Sequence, residues 1–413
     1  MTTEPKVLLV WGQYPRWMPP IQFSLQQVTL TARIKTEDGF CDQSDHGFNY
    51  FDDFQPDGWL NRGEFDLFEY CQMNGIGCDF DFIVVLSEQD MDIFPTNIQK
   101  FNCCSILLIG DTHHFPRPIS TLVEYAVREK FNMAVCQFTG QHLHWFQKAG
   151  IPLCGWAPGL VTKHEPGANY ECREDSVVFI GHSWKYHFYR YSLIQLMKKE
   201  RLPIRVSIAT RMEAAERYNR SLISFNCSLN SDLNIRNFEI LSSRGFLLTD
   251  ALAEASGFNL LFPVGEVCDT YSDNDELISK IDFYRRNPGS ALKIAHRGYE
   301  YFCKNLRADI AISKFKLAYF EGKGSALNPL PDSRCHDVNS LNWRKRLLTY
   351  EDIQELHRQL PSVQVKVDPS ATWFDHRDVE DLPRVNLTIQ GTTLKGEGCE
   401  ASPTELTWDY IVS

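Results

Sequence analysis

Residues 221–249 hold two short apolar runs with a polar loop and an amphipathic segment between them. The first run, residues 221–227 (SLISFNC), is followed by turn-forming residues, which is typical of a buried strand. Residues 236–243 place apolar beside charged side chains at helical spacing, and Gly245 is a suitable residue to end this helix. Residues 245–249 (GFLLT) form the second run. This order predicts a crossover between two parallel strands of an α/β sheet.

The loop and the first helical turns after this strand carry three polar side chains, Asn234, Arg236 and Glu239. Ligands of open α/β sheets bind at the carboxyl ends of the strands, beside such loops and helix N-termini. An arginine can donate two hydrogen bonds to a diphosphate, the helix N-terminus adds positive potential, and a carboxylate can accept from two ribose hydroxyls. The alternative is a surface ion pair between Arg236 and Glu239, three residues apart on one helix. The residues alone leave both interpretations open.

Several short motifs extend this region into a longer pattern. The motifs are N-x-R-x-F-E at 234–239, an apolar strand after Gly245, PVGE at 263–266, YSDNDEL at 271–277, NP at 287–288 and IAHRG at 294–298. In this order they resemble the nucleotide-binding half of glycosyltransferases of the GT-B fold, and within that fold the CgeB-like (spore maturation) group. The resemblance covers residues 177–315 and, more loosely, the N-terminal half.

The resemblance implies an α/β protein with two Rossmann-like domains that face a cleft, which is the GT-B architecture. It also implies that the C-terminal domain binds a nucleotide-diphosphate sugar as the donor substrate. Glu239 would bind the ribose, and Asn234, Arg236 and Arg190 would bind the diphosphate. Neither a permanently bound cofactor nor a metal ion is expected.

Three further turns after predicted strands add candidate donor-binding residues. Gly181 and His182 follow the apolar run 176–180, where the family brings the donor diphosphate close to backbone amides. Gly12 follows the first predicted strand, and His142 lies near the start of a predicted helix. For each of these residues the alternative is an ordinary role in packing or in a surface loop.

Candidate catalytic residues follow the predicted strand at 105–110. Asp111, His113 and His114 stand at its carboxyl end, which in a two-Rossmann fold faces the interdomain cleft. An imidazole titrates near neutral pH and can serve as a general base, so these residues are candidates to deprotonate an acceptor hydroxyl. The alternative is that one histidine caps the next helix and the other is packed.

The stereochemical outcome stays open at this stage. The widespread retaining signature of these folds has two Glu separated by seven residues. Glu239 matches the second, but Ser231 occupies the position of the first. The residues at 111–114 would therefore act as a base in an inverting enzyme, or only position the donor in a retaining one.

Composition restricts the class of protein. The net charge of −11 argues against binding to nucleic acid through phosphate contacts. The thirteen cysteines include no C-x-x-C pair and fit reduced thiols of a cytoplasmic protein. No apolar run approaches the roughly 18 residues of a membrane-spanning helix, and the N-terminus lacks the features of a secretory signal.

We expect three domains: an acceptor-side Rossmann-like domain at 1–160, a nucleotide-sugar-binding domain at 161–322, and an appended α+β module at 323–413. The final helix of the second domain is expected to cross back onto the first. The appended module is predicted from a helix at 347–360 and from strands at 363–367, 384–390 and 408–412. The chain stops on a predicted strand, which suggests a truncated module.

The sequence therefore predicts a glycosyltransferase that moves a sugar from a nucleotide-diphosphate donor to a hydroxyl of a carbohydrate, lipid-linked or protein acceptor. One alternative is an epimerase or hydrolase of nucleotide sugars on the same fold. The other is a non-catalytic nucleotide-sugar-binding scaffold protein.

Overall fold

The computed structural model describes most of the chain up to residue 327 and several strands beyond it. The described residues are 4–12, 20–36, 39–41, 56–87, 93–110, 118–138, 143–160, 172–181, 188–228, 233–252 and 256–327, and strands between 363 and 411. The chain divides into two units. Unit 1 comprises residues 1–112, 116–163 and 303–331, and unit 2 comprises residues 113–115, 164–302 and 332–413.

The described part of unit 1 is built on β-strands, most of them in parallel pairs. They are β1 (Val7–Trp11), β2 (Gln27–Ala32), β3 (Ile34–Thr36), β4 (Gly39–Cys41), β5 (Gly58–Leu60), β6 (Gly63–Asp66), β7 (Phe82–Leu86), β8 (Ile93–Thr96), β9 (Cys104–Ile109), β10 (Met133–Cys136) and β11 (Leu153–Trp156). Seven of them form one sheet in the order β11-β10-β9-β7-β1-β2-β5, and each neighbouring pair is parallel. β3 and β4 form an antiparallel hairpin, and β6 pairs with β8.

Apolar sequence explains the centre of this sheet. Every residue of β1, β7 and β9 is buried. Strands that are covered on both faces need continuous apolar runs, and these three strands have them. The helices between the strands are α1 (Leu67–Met73), α2 (Pro118–Arg128) and α3 (Leu143–Lys148). Asp66 caps α1 by accepting a hydrogen bond from the Glu69 amide.

Unit 2 contains a second parallel sheet. Its strands are β12 (Glu174–Ile180), β13 (Ile204–Ser207), β14 (Ser221–Phe225), β15 (Leu247–Asp250) and β16 (Asp269–Tyr271), and its helices are α4 (Phe188–Lys199), α5 (Arg211–Arg220), α6 (Ile235–Ser242), α7 (Phe258–Leu261), α8 (Asn274–Arg286) and α9 (Pro288–Asn305). The five strands lie in the order β13-β12-β14-β15-β16, and all pairs are parallel. The predicted crossover from β14 through α6 to β15 is therefore confirmed.

The last helix of the described region is α10 (Ala308–Phe320). It groups with unit 1, as do all residues from 303 to 331. The Phe320 ring packs edge-on against Phe82 of β7 at 5.5 Å between centroids, and Leu327 packs against Gly155 of β11. The last helix therefore belongs to unit 1, and the predicted domain bounds stay a prediction.

The described part of the C-terminal region is formed by strands. They are β17 (Val363–Asp368), β18 (Arg384–Ile389), β19 (Lys395–Gly396), β20 (Cys399–Glu400) and β21 (Leu406–Ile411). β17, β18 and β21 form an antiparallel sheet with β18 in the centre, and β19 pairs with β20. The predicted strands are confirmed, whereas the predicted helix at 347–360 lies outside the described residues.

The predicted α/β class with two Rossmann-like sheets is confirmed by the parallel order of both sheets. The predicted stop at Gly245 lies just beyond the observed end of α6 at Ser242. Arg244 adopts the left-handed conformation with φ of 60°, and the Gly245 amide donates to the Ile240 carbonyl oxygen at 2.8 Å. A Cβ at Gly245 would lie 2.8 Å from the Ile240 side chain, which favours glycine there.

Candidate functional site

Polar side chains gather at the carboxyl edge of the unit 2 sheet, around Asn226. Asn226 directly follows β14 and is completely buried. Its Nδ2 donates to Asn237 Oδ1 at 2.9 Å and to Thr249 Oγ1 at 3.0 Å. Its Oδ1 accepts from Arg236 Nη1 at 3.0 Å. The amide thus links the ends of β14 and β15 to the first turn of α6.

Arg236 is held from several sides at this edge. Besides the bond to Asn226, its Nε donates to the Ile180 carbonyl oxygen at 2.7 Å. Its guanidinium carbon lies 4.5 Å from the centroid of the Phe179 ring, a favourable cation–π contact. Arg236 therefore does not form the surface ion pair with Glu239 that the sequence left open, because its donors go to the ends of β12 and β14.

Gly181 makes room for this arginine. It follows β12 with φ of +138°, and a Cβ at this position would lie 2.2 Å from Arg236 Nη2. Its own amide donates to the Ser207 carbonyl oxygen at 2.9 Å, within the sheet edge. A side chain at 181 would thus collide with the guanidinium. The predicted approach of a diphosphate to this backbone stays a prediction.

Asn234 is the N-cap of α6. Its Oδ1 accepts from the Arg236 amide at 3.1 Å, and its extended backbone brings the chain into the helix. This cap explains why the helix begins at Ile235. The N-terminus of α6 consequently lies beside the ends of the strands, where its unpaired amides favour an anion.

Arg190 is a buried residue of α4 with 5% of its surface exposed. Its Nη2 donates to the Cys227 carbonyl oxygen at 2.9 Å, and its Nε donates to the same oxygen at 3.3 Å. Its guanidinium carbon lies 5.3 Å from the centroid of the Phe179 ring. Two arginines thus contact one phenylalanine ring at the carboxyl edge, and Arg190 fixes the backbone just after β14.

Glu239 lies one turn after Arg236 on α6 and is partly buried. Burial raises the pKa of its carboxyl group, and the nearby Arg236 and Arg211 partly counteract this rise in pKa. Among the described residues, no hydrogen bond to this carboxylate contributes to the shift. A carboxylate of this kind can accept hydrogen bonds from the hydroxyl groups of a ligand.

A buried carboxylate shapes the loop that follows β14. Asp250, at the end of β15, is 1% exposed and accepts from the Ser228 amide at 3.0 Å and from Ser228 Oγ at 2.9 Å. It also accepts from Thr249 Oγ1 at 3.0 Å. These bonds fix the point at which the chain leaves the sheet toward α6.

Gly12 belongs to unit 1 and has a packing reason to be glycine. Its amide donates to the Leu86 carbonyl oxygen at 3.1 Å, and a Cβ there would lie 2.3 Å from the same oxygen. The backbone of β7 thus leaves no space for a side chain at this position. The donor-binding role of Gly12 stays a prediction.

The remaining predicted site residues lie outside the described residues. They are Asp111, His113, His114, His142 and His182. Ser231, which stands where the retaining signature has its first Glu, also lies outside them. Within the described ranges no group of three or more His, Cys, Asp and Glu could hold a metal ion. None of the helices in those ranges has the length and apolar content that crossing a bilayer demands.

Sequence reasoning missed the residues that organise this edge: Asn226, Ser228, Asn237, Thr249 and Asp250. A signal for three of them was present, because each stands at the end of an apolar strand or directly after it, in SLISFN and LLTD. Polar residues at that position of a parallel strand point to the ligand-binding edge of the sheet.

The arrangement can bind an anionic ligand that also carries hydroxyl groups. An arginine and a helix N-terminus stand at one end of the site, and a carboxylate stands one helical turn away. Residues 171–309 match the family model described as glycosyl transferase-like. The matched range contains the whole polar cluster described above. The resemblance to glycosyltransferases is thus confirmed for this range, and the narrower CgeB-like group stays a prediction.

Solved structures with a similar fold share little sequence with this chain. HepE from Anabaena, in complex with UDP and glucose, has a TM-score of 0.47 and 11% identity over 75% of this chain and 99% of its own. Sucrose-phosphate synthase from Thermosynechococcus elongatus has a TM-score of 0.46 and 10% identity, and the match covers 77% of this chain and 100% of the synthase chain. TarM has a TM-score of 0.45 and 12% identity, and the match covers 60% of this chain and 56% of the TarM chain. No curated protein matches by sequence.

Proposed function

We propose that this protein is a glycosyltransferase that binds a nucleotide-diphosphate sugar at the carboxyl edge of the unit 2 sheet. The observation that carries the proposal is the match of residues 171–309 to the glycosyl transferase-like family model. The contacts within that range support it, because they bring an arginine, a helix N-terminus and an acceptor carboxylate to the same edge.

The diphosphate would bind at Arg236 and at the first turn of α6. Both hydrogen-bond acceptors of Arg236 at this edge, the Ile180 carbonyl and the Asn226 amide oxygen, are neutral groups. The guanidinium therefore keeps a positive charge to attract an anion. Asn234 would act through its cap, which sets the direction of the first helical amides. Arg190 would stabilise the same region by donating a hydrogen bond to the Cys227 carbonyl oxygen.

The ribose would bind at Glu239. A carboxylate can accept one hydrogen bond from each of two neighbouring hydroxyls, which is the pattern that a ribose presents. The raised pKa of Glu239 is the expected result of keeping such a group partly buried before the hydroxyls arrive.

Transfer itself would depend on stabilising the diphosphate as it leaves. A fixed cation and a helix N-terminus stabilise negative charge that develops on the leaving group. On the acceptor side we propose Asp111, His113 and His114 as the source of a base, with the donor also contacting His142, His182, Gly181 and Gly12. The acceptor would be a hydroxyl of a carbohydrate, a lipid-linked sugar or a protein.

The proposal is tested by calorimetric titration with UDP, GDP, ADP and CDP and with sugar derivatives of the one that binds. We expect one nucleoside diphosphate to bind, and Glu239→Gln to weaken its binding by about tenfold or more. Glu200→Gln is the matched control, since Glu200 is an exposed carboxylate of the same unit outside the motifs of the resemblance.

Binding of no nucleotide or nucleotide sugar at millimolar concentration would contradict the proposal. Release of free sugar or of an epimer, with no transfer to any acceptor, would favour the hydrolase or epimerase instead. Tight binding with no turnover of the bound nucleotide sugar would favour a non-catalytic binding protein.

A further inference from the structure

Asn226 makes more hydrogen bonds than its place at a strand end requires. Its backbone amide donates to the Leu248 carbonyl at 2.8 Å, and its carbonyl accepts from the Tyr271 hydroxyl at 3.0 Å. Its side chain adds the bonds to Asn237, Thr249 and Arg236. A buried amide that is bonded in every direction has one orientation, because any rotation would leave donors or acceptors unpaired.

The fixed orientation of Asn226 also determines the orientation of Arg236. The guanidinium is bonded to Asn226 Oδ1 on one side and to the Ile180 carbonyl on the other, and it lies over the Phe179 ring. Gly181 leaves the space in which Nη2 lies. The plane and the position of the guanidinium are therefore set before any ligand binds.

The chemical nature of the acceptor is as informative as its position. An aspartate has the same shape as Asn226 and would bind an arginine more strongly, because the hydrogen bond would join two opposite charges. It would also neutralise the guanidinium. An asparagine instead orients the arginine and leaves its charge for something else.

We propose that Asn226 is a positioning residue for the donor: it orients Arg236 through a neutral acceptor, so that this contact offsets none of the guanidinium charge that acts on the diphosphate. This inference rests on the proposed function. Its distinctive consequence is that Asn226→Asp preserves the fold and weakens the binding of anions. The fold should tolerate the change for two reasons. Asn237 is buried with an Nδ2 that has no acceptor among the described residues and can turn toward the new carboxylate. Thr249 Oγ1 can donate to that carboxylate in place of Asp250, which keeps both bonds from Ser228.

The test measures the dissociation constants of UDP and of uridine for the wild-type chain and for Asn226→Asp. If another nucleoside diphosphate binds more tightly, that compound and its nucleoside replace them. We expect Asn226→Asp to weaken diphosphate binding by about tenfold or more, and to leave nucleoside binding within about twofold. We expect its melting temperature to stay close to that of the wild type.

Two further variants keep the result interpretable. Asn226→Ala removes the acceptor of the Arg236 hydrogen bond. We expect it to weaken the binding of the diphosphate more than the binding of the nucleoside. Ile223→Ala, in the buried core of β14, destabilises the same strand without touching the polar contacts, and we expect unchanged diphosphate binding well below its melting temperature.

The outcomes separate this inference from the proposed function. If the wild-type chain binds UDP or another nucleoside diphosphate and Asn226→Asp binds it equally well, the positioning role is wrong and the proposed function stands. If Asn226→Ala and Ile223→Ala weaken the diphosphate and the nucleoside alike, Asn226 has only a structural role. If the wild-type chain binds no nucleoside diphosphate, the proposed function fails, and this inference fails with it.

Discussion

Gly181→Ala introduces a single methyl group at the most crowded point of the carboxyl edge. The new Cβ would lie 2.2 Å from Arg236 Nη2, and the φ of +138° is a conformation that side chains other than glycine rarely adopt. The methyl group is attached directly to the backbone of the sheet edge and cannot rotate away, so the guanidinium has to move. Moving it weakens its bonds to Ile180 at 2.7 Å and to Asn226 at 3.0 Å.

The magnitude follows from two contributions. A residue other than glycine in a strained backbone conformation costs about 1–3 kcal/mol. Loss of one hydrogen bond from a charged donor costs a further 1.5–3 kcal/mol, approximately. We therefore expect Gly181→Ala to lower the free energy of unfolding by about 3 kcal/mol or more. For a domain of this size that corresponds to a fall of roughly 6 °C or more in melting temperature.

The assay is scanning calorimetry of the wild-type chain, Gly181→Ala and Gly265→Ala. Gly265 also has a positive φ, of +82°, but no heavy atom lies within 4 Å of a Cβ added there. Gly265→Ala therefore carries the backbone strain alone. We expect Gly181→Ala to melt roughly 3 °C or more below Gly265→Ala, because only the first variant displaces Arg236.

A double-mutant cycle isolates the collision. In an Arg236→Ala background the obstructing guanidinium is gone, so the cost of Gly181→Ala should fall by the contribution of the collision, about 1.5–3 kcal/mol. Equal melting temperatures for the two glycine variants in the wild-type background would refute the reasoning. So would a cost for Gly181→Ala that does not change when Arg236 is removed.

Three further predictions concern carboxylates of unit 2. Burial raises the pKa of Glu239, so ionising this carboxyl group costs more free energy in the folded than in the unfolded chain. Glu239→Gln should therefore melt at or above the wild-type temperature at pH 7. The difference in melting temperature should vanish as the pH falls toward 4.5, the ordinary pKa of a glutamate. A lower melting temperature at pH 7 would contradict this. Asp250→Asn places a donor against Ser228 and should cost about 1–3 kcal/mol in urea unfolding, whereas an unchanged midpoint would show that the loop anchor is dispensable. Asp175→Asn removes an exposed pair with Arg285 and should cost less than about 1 kcal/mol, so a larger loss in 0.5 M salt would contradict the assignment to the surface.

Much of the local structure could be predicted from the sequence. The apolar runs at β1, β7, β9, β12 and β14 are long enough to be buried strands, and their neighbours in sequence are helical or turn-forming. β2 and β16 were missed, because β2 (QVTLTA) alternates polar and apolar residues and β16 (DTY) is only three residues long. Both are recognisable only after the sheet supplies their partners.

The site divides in the same way. The sequence indicated Asn234, Arg236 and Glu239 as candidates, because a short polar side chain, a cation and a carboxylate at the start of a helix after a strand form a local pattern. It did not identify Asn226 or Asp250 as partners of this pattern, because a strand end has no periodicity that reveals where its side chain points.

The sequence by itself therefore determined the longer apolar strands and the helix α6, and it supplied Asn234, Arg236 and Glu239 as candidate site residues, since all of these depend on the spacing of residues along the chain. Only the tertiary structure decided what Arg236 contacts. Its acceptors come from Ile180 and Asn226, which are 56 and 10 positions away in the sequence, and its space comes from Gly181. These groups meet because β12 and β14 run parallel and end at the same edge, and hydrogen bonds depend on distance in space and not on distance along the chain.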